Sequence, residues 1–258
     1  MMAPELWRIG PLTLRTYTLL IDLAILIGLS AVTSQGWRSE RRPTAWLNAG
    51  LAALTGGVMA GRVGHVAVQW AYFSTHLGEI VRVWRGGLDW HGAVLGGLAG
   101  LALGCKFWHI NWRQALEALA LPLPLGAALS YAACLMGSCA HGREVASLAF
   151  YPPLVAAELP DLYGIIAPRF NSQLFGIALG LAVLVVVSQL GKLTQRPGVR
   201  FWIALTLLGL GAFGIGFTRG DTVPMIGLLR LDQVLDLGMA ALGTIGAVGH
   251  SATLPNSA

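Results

Sequence analysis

What most constrains this chain is a succession of apolar windows roughly 20 residues long, the length an α-helix needs to cross a hydrocarbon core of about 30 Å. They lie at about 12–33, 46–71, 88–105, 115–136, 172–190, 200–217 and 232–250. Backbone polar groups in lipid must be satisfied within the segment, so such windows predict helices. The expected fold is an all-α polytopic membrane bundle of about seven transmembrane helices, with an outside-facing loop region, in one integral membrane domain over residues 1–258. Composition agrees: 55% of residues are hydrophobic and 11% charged, whereas a soluble domain carries about a quarter as charged residues. A disordered chain is excluded, and three cysteines are too few for a disulfide-stapled module. The first window follows Arg8 and Arg15 as a signal peptide would, but its length, and the lack of a strong small-residue cleavage site, make it a membrane helix.

The formal charge is +5, yet the longest basic run is Arg41-Arg42. Nucleic-acid binding needs clustered positive charge, so no nucleic-acid partner is expected and the lipid bilayer is the anionic one. Seven crossings sort the connections into two sets. One holds Arg38, Arg41, Arg42, Lys106, Arg113, Lys192, Arg196 and Arg200; the other holds Arg8, Arg15, Arg82, Arg85, Arg143, Arg169, Arg219 and Arg230, with Arg62 nearer the membrane. The counts nearly tie, but both lysines and the plainest basic loops fall in the first set, which is therefore assigned to the cytoplasm, with the N-terminus outside and the C-terminus inside. The longest outside connection, about 137–171, carries Pro152, Pro153, Pro160 and Pro168 and is expected to cover a site or enter the membrane edge. Asp22 and Glu117, costly in lipid, are expected to face the protein interior.

The outside-facing segment ends carry Arg15 and Tyr17, Arg62, the run Arg85-Gly86-Gly87-Leu88-Asp89-Trp90-His91-Gly92, His141-Gly142-Arg143, and Arg219-Gly220-Asp221. Converging arginines suit an anionic head group; arginines at helix ends also snorkel to lipid phosphates. His91, among glycines, fits either a general base or a histidine hydrogen-bonded across helices. Cys134 and Cys139 lack redox-motif spacing and read as small packing residues. His65 and His76 have no partners at metal-ligand spacing, and no metal site is expected. Trp7, Trp70, Tyr72, Trp84, Trp90 and Trp112 read as an interfacial belt. Gly92, Gly96 and Gly100, at four-residue spacing, read as helix packing.

These residues resemble the prolipoprotein diacylglyceryl transferases of bacterial inner membranes. The stretch from Gly61-Arg62 through His76-Leu77-Gly78-Glu79 to Gly86-Gly87-Leu88-Asp89-Trp90-His91-Gly92 is similar to that family's block ending in Gly-Gly-Leu-Ser-(aromatic)-His-Gly. Leu14-Arg15-Thr16-Tyr17 resembles its first-helix start, and Glu117 with Pro122 and Pro124 its fourth-helix element. Phe217-Thr218-Arg219-Gly220-Asp221 and Leu231-Asp232-Gln233-Val234-Leu235 resemble its Phe-x-Arg-x-x-Asp and Gly-Gln-x-Leu-Ser elements. The chain departs from the signature Arg-x-Gly-Asn-Phe-x-Asn-x-Glu-x-x-Gly-Arg, which here reads Tyr131, Ala133, Cys134, Leu135, Gly137 and Cys139, with Gly142 and Arg143 retained. The family's His-Pro-Ser-Gln-Leu-Tyr-Glu is Phe170 through Gly176.

The resemblance implies transfer of the diacylglyceryl group of phosphatidylglycerol to the lipobox cysteine thiol in a prolipoprotein signal peptide, releasing glycerol phosphate at the outer leaflet. It implies His91 for proton acceptance or thiol orientation and Tyr17 as a hydrogen-bond donor beside it. Arg143 and Arg219, helped by Arg62, would neutralise the phosphate, Gly142 would admit the head group, and Gln173 would hold its hydroxyls. Gly86, Gly87, Gly92 and Tyr131 complete the expected substrate-binding set, and Arg15, Arg62 or Arg85 would compensate for the lost arginine. No cofactor is implied, because the phosphate ester brings its own leaving group. Two other readings are a relative that binds phospholipid or a signal segment without turnover, and a small transporter using Asp22, Glu117 and the arginines. The last predicts charges spread through membrane depth, and most of them cluster at segment ends.

Overall fold

The computed structural model describes residues 5–9, 12–192, 194 and 196–252. The side chains of Trp7, Arg8 and Arg85 lie outside what is described. A hairpin of β1 (Glu5–Ile9) and β2 (Leu12–Arg15) leads into α1 (Thr16–Ser39) and α2 (Pro43–Val68). The short α3 (Trp70–Phe73) precedes α4 (Trp90–Phe107), α5 (Trp112–Leu119) and α6 (Pro122–Gly137). A second hairpin, β3 (Ala156–Pro160) with β4 (Ile166–Phe170), precedes α7 (Ser172–Leu190) and α8 (Val199–Gly216). The third hairpin, β5 (Met225–Ile226) with β6 (Leu229–Arg230), feeds α9 (Leu231–Ala252).

The protein is a mostly helical membrane protein. Six spans are long and apolar enough to cross a bilayer: α1, α2, α5 with α6 as Trp112–Gly137, α7, α8, and α9 over Leu231–Ser251. α4 is not among them, because its 18 residues include His91, Lys106 and glycines that add no apolar surface. Those glycines do another job. A Cβ on Gly96 would stand 2.2 Å from the carbonyl oxygen of Gly56, and one on Gly100 2.3 Å from that of Ala52, so α4 lies directly on the backbone of α2. Trp46, Leu101, Leu116, Val187 and Leu205 are buried between helices, while Leu26, Val63, Leu103, Phe107, Val185 and Ile245 point outward. Such an apolar exterior suits lipid.

Pro122, at the start of α6, has no N–H to continue α5, so the span breaks there. Glu117, one turn before the break, accepts hydrogen bonds from the backbone N–H of Gly198 at 2.7 Å and from Nε of Arg200. That internal pairing is what a membrane carboxylate requires. Asp22 differs from expectation: it is exposed on α1 rather than turned inward. It lies six residues from Thr16, about 9 Å at helical rise, close enough to the helix end for its carboxylate to reach an interface.

The helix ends sort into two sets. At one end, Arg42 donates to the carbonyl of Trp108, Arg200 to Glu117, and the Trp202 indole approaches His250. At the other gather the starts of α1, α4, α7 and α9, the ends of α2, α6 and α8, and the hairpins, and the candidate site residues lie there.

Candidate active site

Residues 218–233 build a cluster of paired charges, two arginines against two aspartates. The Arg219 fork donates to Asp221 at 2.8 and 2.6 Å, and its Nη1 is 3.5 Å from Asp232. Arg230 donates to both oxygens of Asp232 at 3.0 Å and to the carbonyl of Asp221 at 3.0 Å. Gln233, buried, accepts from the N–H of Arg230 and donates to the carbonyl of Phe213. Burial would push the Asp221 carboxyl up; the Arg219 hydrogen bonds and the charges of Arg219 and Arg230 outweigh it and hold that carboxyl below the usual range. The same pairing holds the Arg219 proton more firmly, against its own burial.

The segment after α6 docks on this cluster through the backbone. Arg143 donates its N–H to the carbonyl of Thr218 at 2.8 Å, and Gly220 donates to that of His141 at 2.9 Å. Arg143 thus starts beside Arg219. Its guanidinium is exposed, stands 5.3 Å over the Phe170 ring, and meets no carboxylate among the described residues. Gly142 is needed for packing: a Cβ there would stand 1.9 Å from the carbonyl oxygen of Phe170. Its place beside the head group is therefore taken by β4. Buried Arg169 of β4 secures the same segment, donating to Glu144 at 2.9 Å and to Asp161 at 3.2 Å. Partial burial opposes ionisation of Asp161, but N–H groups of Ile165 and Tyr163 and the Arg169 charge hold its carboxyl below the usual range.

Between α6 and this segment, Cys134 and Cys139 form a disulfide. This corrects their reading as packing residues: the chain reverses after α6 through Ser138 and Ala140, both at positive φ, which brings the two sulfurs together. Gln173, fully buried, donates to the carbonyl of Cys139 at 3.0 Å, and its Oε1, sealed from solvent, has no hydrogen-bond partner among the described residues. Tyr17 of α1 packs on Gly137. Tyr131 stacks on the backbone of α7 where Gly176 leaves room, and lies within electrostatic reach of Arg219, Asp221, Asp232 and Asp236. Two pairs of departures from the family's motifs are in contact, Cys134 with Cys139 and Tyr131 with Gly176.

His91, 3% exposed, stands in the first turn of α4. Asp89 caps that turn, accepting from the Gly92 N–H at 2.7 Å through one oxygen and meeting His91 Nδ1 at 3.0 Å through the other. Across the helices, Asp236 of α9 lies 2.9 Å from His91 Nε2. Gly92 abuts Ala60 of α2, and a Cβ on Gly87, at positive φ, would collide with His65. These glycines admit neighbouring protein groups rather than an empty approach. Arg62 is likewise committed: it donates to the carbonyls of Glu79, Ile80, Gly86 and Gly87 at 2.6–3.0 Å. With those donors spent on the loop before α4, Arg62 positions that loop and does not reach for a phosphate.

The structure thus joins His91, Tyr131, Gly142, Arg143, Gln173 and Arg219 around one centre, with Tyr17 at its rim and Arg62, Gly86, Gly87 and Gly92 behind α4. Asp236, Arg230, Asp232 and Arg169 went unnoticed as site residues in the sequence. A carboxylate inside a membrane segment was a usable signal for Asp236.

Comparison with known proteins places this architecture. The model of the prolipoprotein diacylglyceryl transferase family matches residues 4–248. A phosphatidylglycerol–prolipoprotein diacylglyceryl transferase of Nostoc sp. is 30% identical over 249 residues, covering 94% of this chain and 87% of its own. That of Synechococcus elongatus is 30% identical over 265 residues, covering 98% and 90%. One of Bacillus velezensis is 25% identical over 248 residues, covering 94% and 90%. With all nine α-helices of the described residues, but for the last residues of α9, and both sides of its polar centre inside the match, the chain belongs to the prolipoprotein diacylglyceryl transferase family.

Proposed function

We propose that this protein transfers the diacylglyceryl group of phosphatidylglycerol to the lipobox cysteine of a prolipoprotein, releasing glycerol phosphate. The observation that carries the reading is the polar centre at one end of an apolar helical body. There Arg143, which meets no carboxylate among the described residues, starts beside the Arg219 cluster, and that cluster lies within electrostatic reach of the Asp236 that contacts His91. The relatives' names supply the two substrates. The displacement needs a deprotonated thiol and a stabilised departing phosphate. Arg143 binds the phosphate and Arg219 neutralises the charge that develops on it. Gln173, sealed beneath the turn, holds the Cys139 carbonyl behind the site, Tyr17 and Tyr131 flank the site as hydroxyl donors, and Gly142 fixes the strand that presents Arg143. His91 orients the thiol end of the site.

The whole chain acts as one integral membrane domain of a bacterial inner membrane, with α4 as a seventh crossing packed on α2. Its N-terminus is outside and its C-terminus cytoplasmic, so the centre faces the outer leaflet, where lipid and the exported signal peptide meet. The test is to incubate the purified protein with phosphatidylglycerol and a lipobox peptide and weigh the peptide by mass spectrometry. A diacylglyceryl adduct on the cysteine supports the reading. Lipid binding without an adduct would instead make this a phospholipid-binding relative without turnover.

A further inference from the structure

A neutral imidazole has one N–H donor and one lone pair, and an ionised carboxylate only accepts. His91 meets a carboxylate oxygen at each nitrogen, Asp89 at 3.0 Å and Asp236 at 2.9 Å, inside a pocket that leaves it 3% exposed. With both carboxyls ionised, both contacts are hydrogen bonds only if both nitrogens carry protons. A ring so placed has no lone pair with which to take a proton from a thiol.

The two carboxylates are not equivalent. Both oxygens of Asp89 are engaged, one by His91 and one by the Gly92 N–H. Asp236 uses one oxygen on His91. Its second oxygen receives no hydrogen bond among the described residues, and it is not among the sealed, unpartnered polar atoms. Arg219, Asp232 and Tyr131 each lie within electrostatic reach of Asp236, on the site side of His91. The remaining charged neighbours are Asp221 after α8 and, behind Asp89, His65 and Arg62 of α2.

We propose that the carboxylate of Asp236 is the proton acceptor for the substrate thiol, and that His91, clamped between two carboxylates, remains a cation throughout. The proposal rests on the transferase reading above. In the step, the thiol S–H bond breaks and its proton passes to the open oxygen of Asp236. The sulfur electron pair forms the S–C bond to the terminal glyceryl carbon, and the C–O bond breaks with its pair leaving on the phosphate oxygen. The proton then leaves Asp236 for the departing phosphate or water, and His91 holds the carboxylate in place through both stages.

The experiment uses the full-length protein in detergent, phosphatidylglycerol labelled in its head group and a lipobox peptide, with Asp236→Asn, Asp89→Asn and wild type compared across pH. Asp236→Asn should lose about 100- to 10,000-fold of the rate at neutral pH, the usual contribution of a general base. It should recover as the solution pH passes the thiol range near 8.5, where the peptide ionises unaided. Asp89→Asn should show no such alkaline recovery. Nitrogen NMR of histidine-labelled wild type, with His91→Gln to assign the signal, should show both His91 nitrogens protonated at neutral pH. A wild-type ring with one bare nitrogen, an Asp236→Asn enzyme at full rate at neutral pH, or a loss that alkaline pH does not relieve would each overturn the proposal. The wild-type NMR result decides even if Asp236→Asn misfolds. Wild type without turnover would sink the transferase reading and the acceptor role together, whereas active wild type with an unaltered variant sinks only the proposal.

Discussion

Replacing Arg219 with Ala separates what this residue does for the fold from what it does for the reaction. The substitution removes a two-pronged, charge-assisted contact to Asp221, at 2.8 and 2.6 Å, and a longer one to Asp232 at 3.5 Å. Charged hydrogen bonds contribute about 1.5–3 kcal/mol each when shielded. Here Arg219 and Asp221 are 21% and 27% exposed and Arg230 still faces both acids. Solvent screening and the surviving partner reduce the loss to about 2 kcal/mol in all, a fall of about 4–8 °C in Tm for a chain of this size. The catalytic loss should be larger: removing one pre-placed donor from a developing anion costs about 100- to 1,000-fold in kcat. Because that charge appears only as the C–O bond breaks, kcat and kcat/KM should fall together. The control is Asp221→Asn, which disrupts the same fork, destabilises by a similar amount and leaves the cation. Thermal melting and head-group release are to be measured on both variants. Turnover unchanged in Arg219→Ala, or lost equally in Asp221→Asn, would refute the reasoning.

Gly142→Ala should fail to accumulate folded protein in a detergent size-exclusion assay, because its Cβ would sit 1.9 Å from the Phe170 carbonyl oxygen, and backbone cannot rotate away as a side chain does. A Cys134→Ser, Cys139→Ser double variant should lose about 2 kcal/mol, the loop-closure value for a five-residue separation. It should also lose rate, since the turn it frees carries the carbonyl that Gln173 holds and leads straight to Arg143; equal melting and equal rate would make the bridge dispensable. The carboxyls of Asp221 and Asp161 are held below their ordinary range when folded. Their contribution is therefore complete above about pH 5 and lost progressively as pH falls through the unfolded and then the lowered folded values. Melting measured against pH should be flat from neutral to about 5 and decline below; a decline already between neutrality and 5 would contradict these assignments.

The helical membrane architecture was legible because apolar length is a coarse, additive property: nineteen residues such as Ser172–Leu190 need no partner to declare themselves. α4 was harder, since what it trades away in hydropathy it uses in backbone contact with α2, and such contact is invisible without the neighbour. The single window 115–136 hid the break at Pro122, and the β3–β4 hairpin inside 137–171 was hidden because Pro160 and Pro168 within its five-residue strands argue against a strand. At the site, Arg219, Arg143 and His91 stood out as charged residues at segment ends. Their environments did not: Arg62 and Arg143 look alike in a sequence, yet one makes four carbonyl bonds and the other meets no acid among the described residues. Asp236 was missed because its partner lies 145 residues away. Cys134 and Cys139 have an unremarkable spacing, and only the left-handed residues Ser138 and Ala140 make it bridgeable.

The central claim is that this polar centre moves a diacylglyceryl group onto a thiol. Its most direct test is the release of labelled glycerol phosphate from phosphatidylglycerol by the purified protein, with a lipobox peptide and with the same peptide carrying Ser in place of its Cys. The account predicts release that requires the thiol peptide and disappears in Arg219→Ala. Release that proceeds equally with the Ser peptide, or none with lipid demonstrably bound, would contradict it.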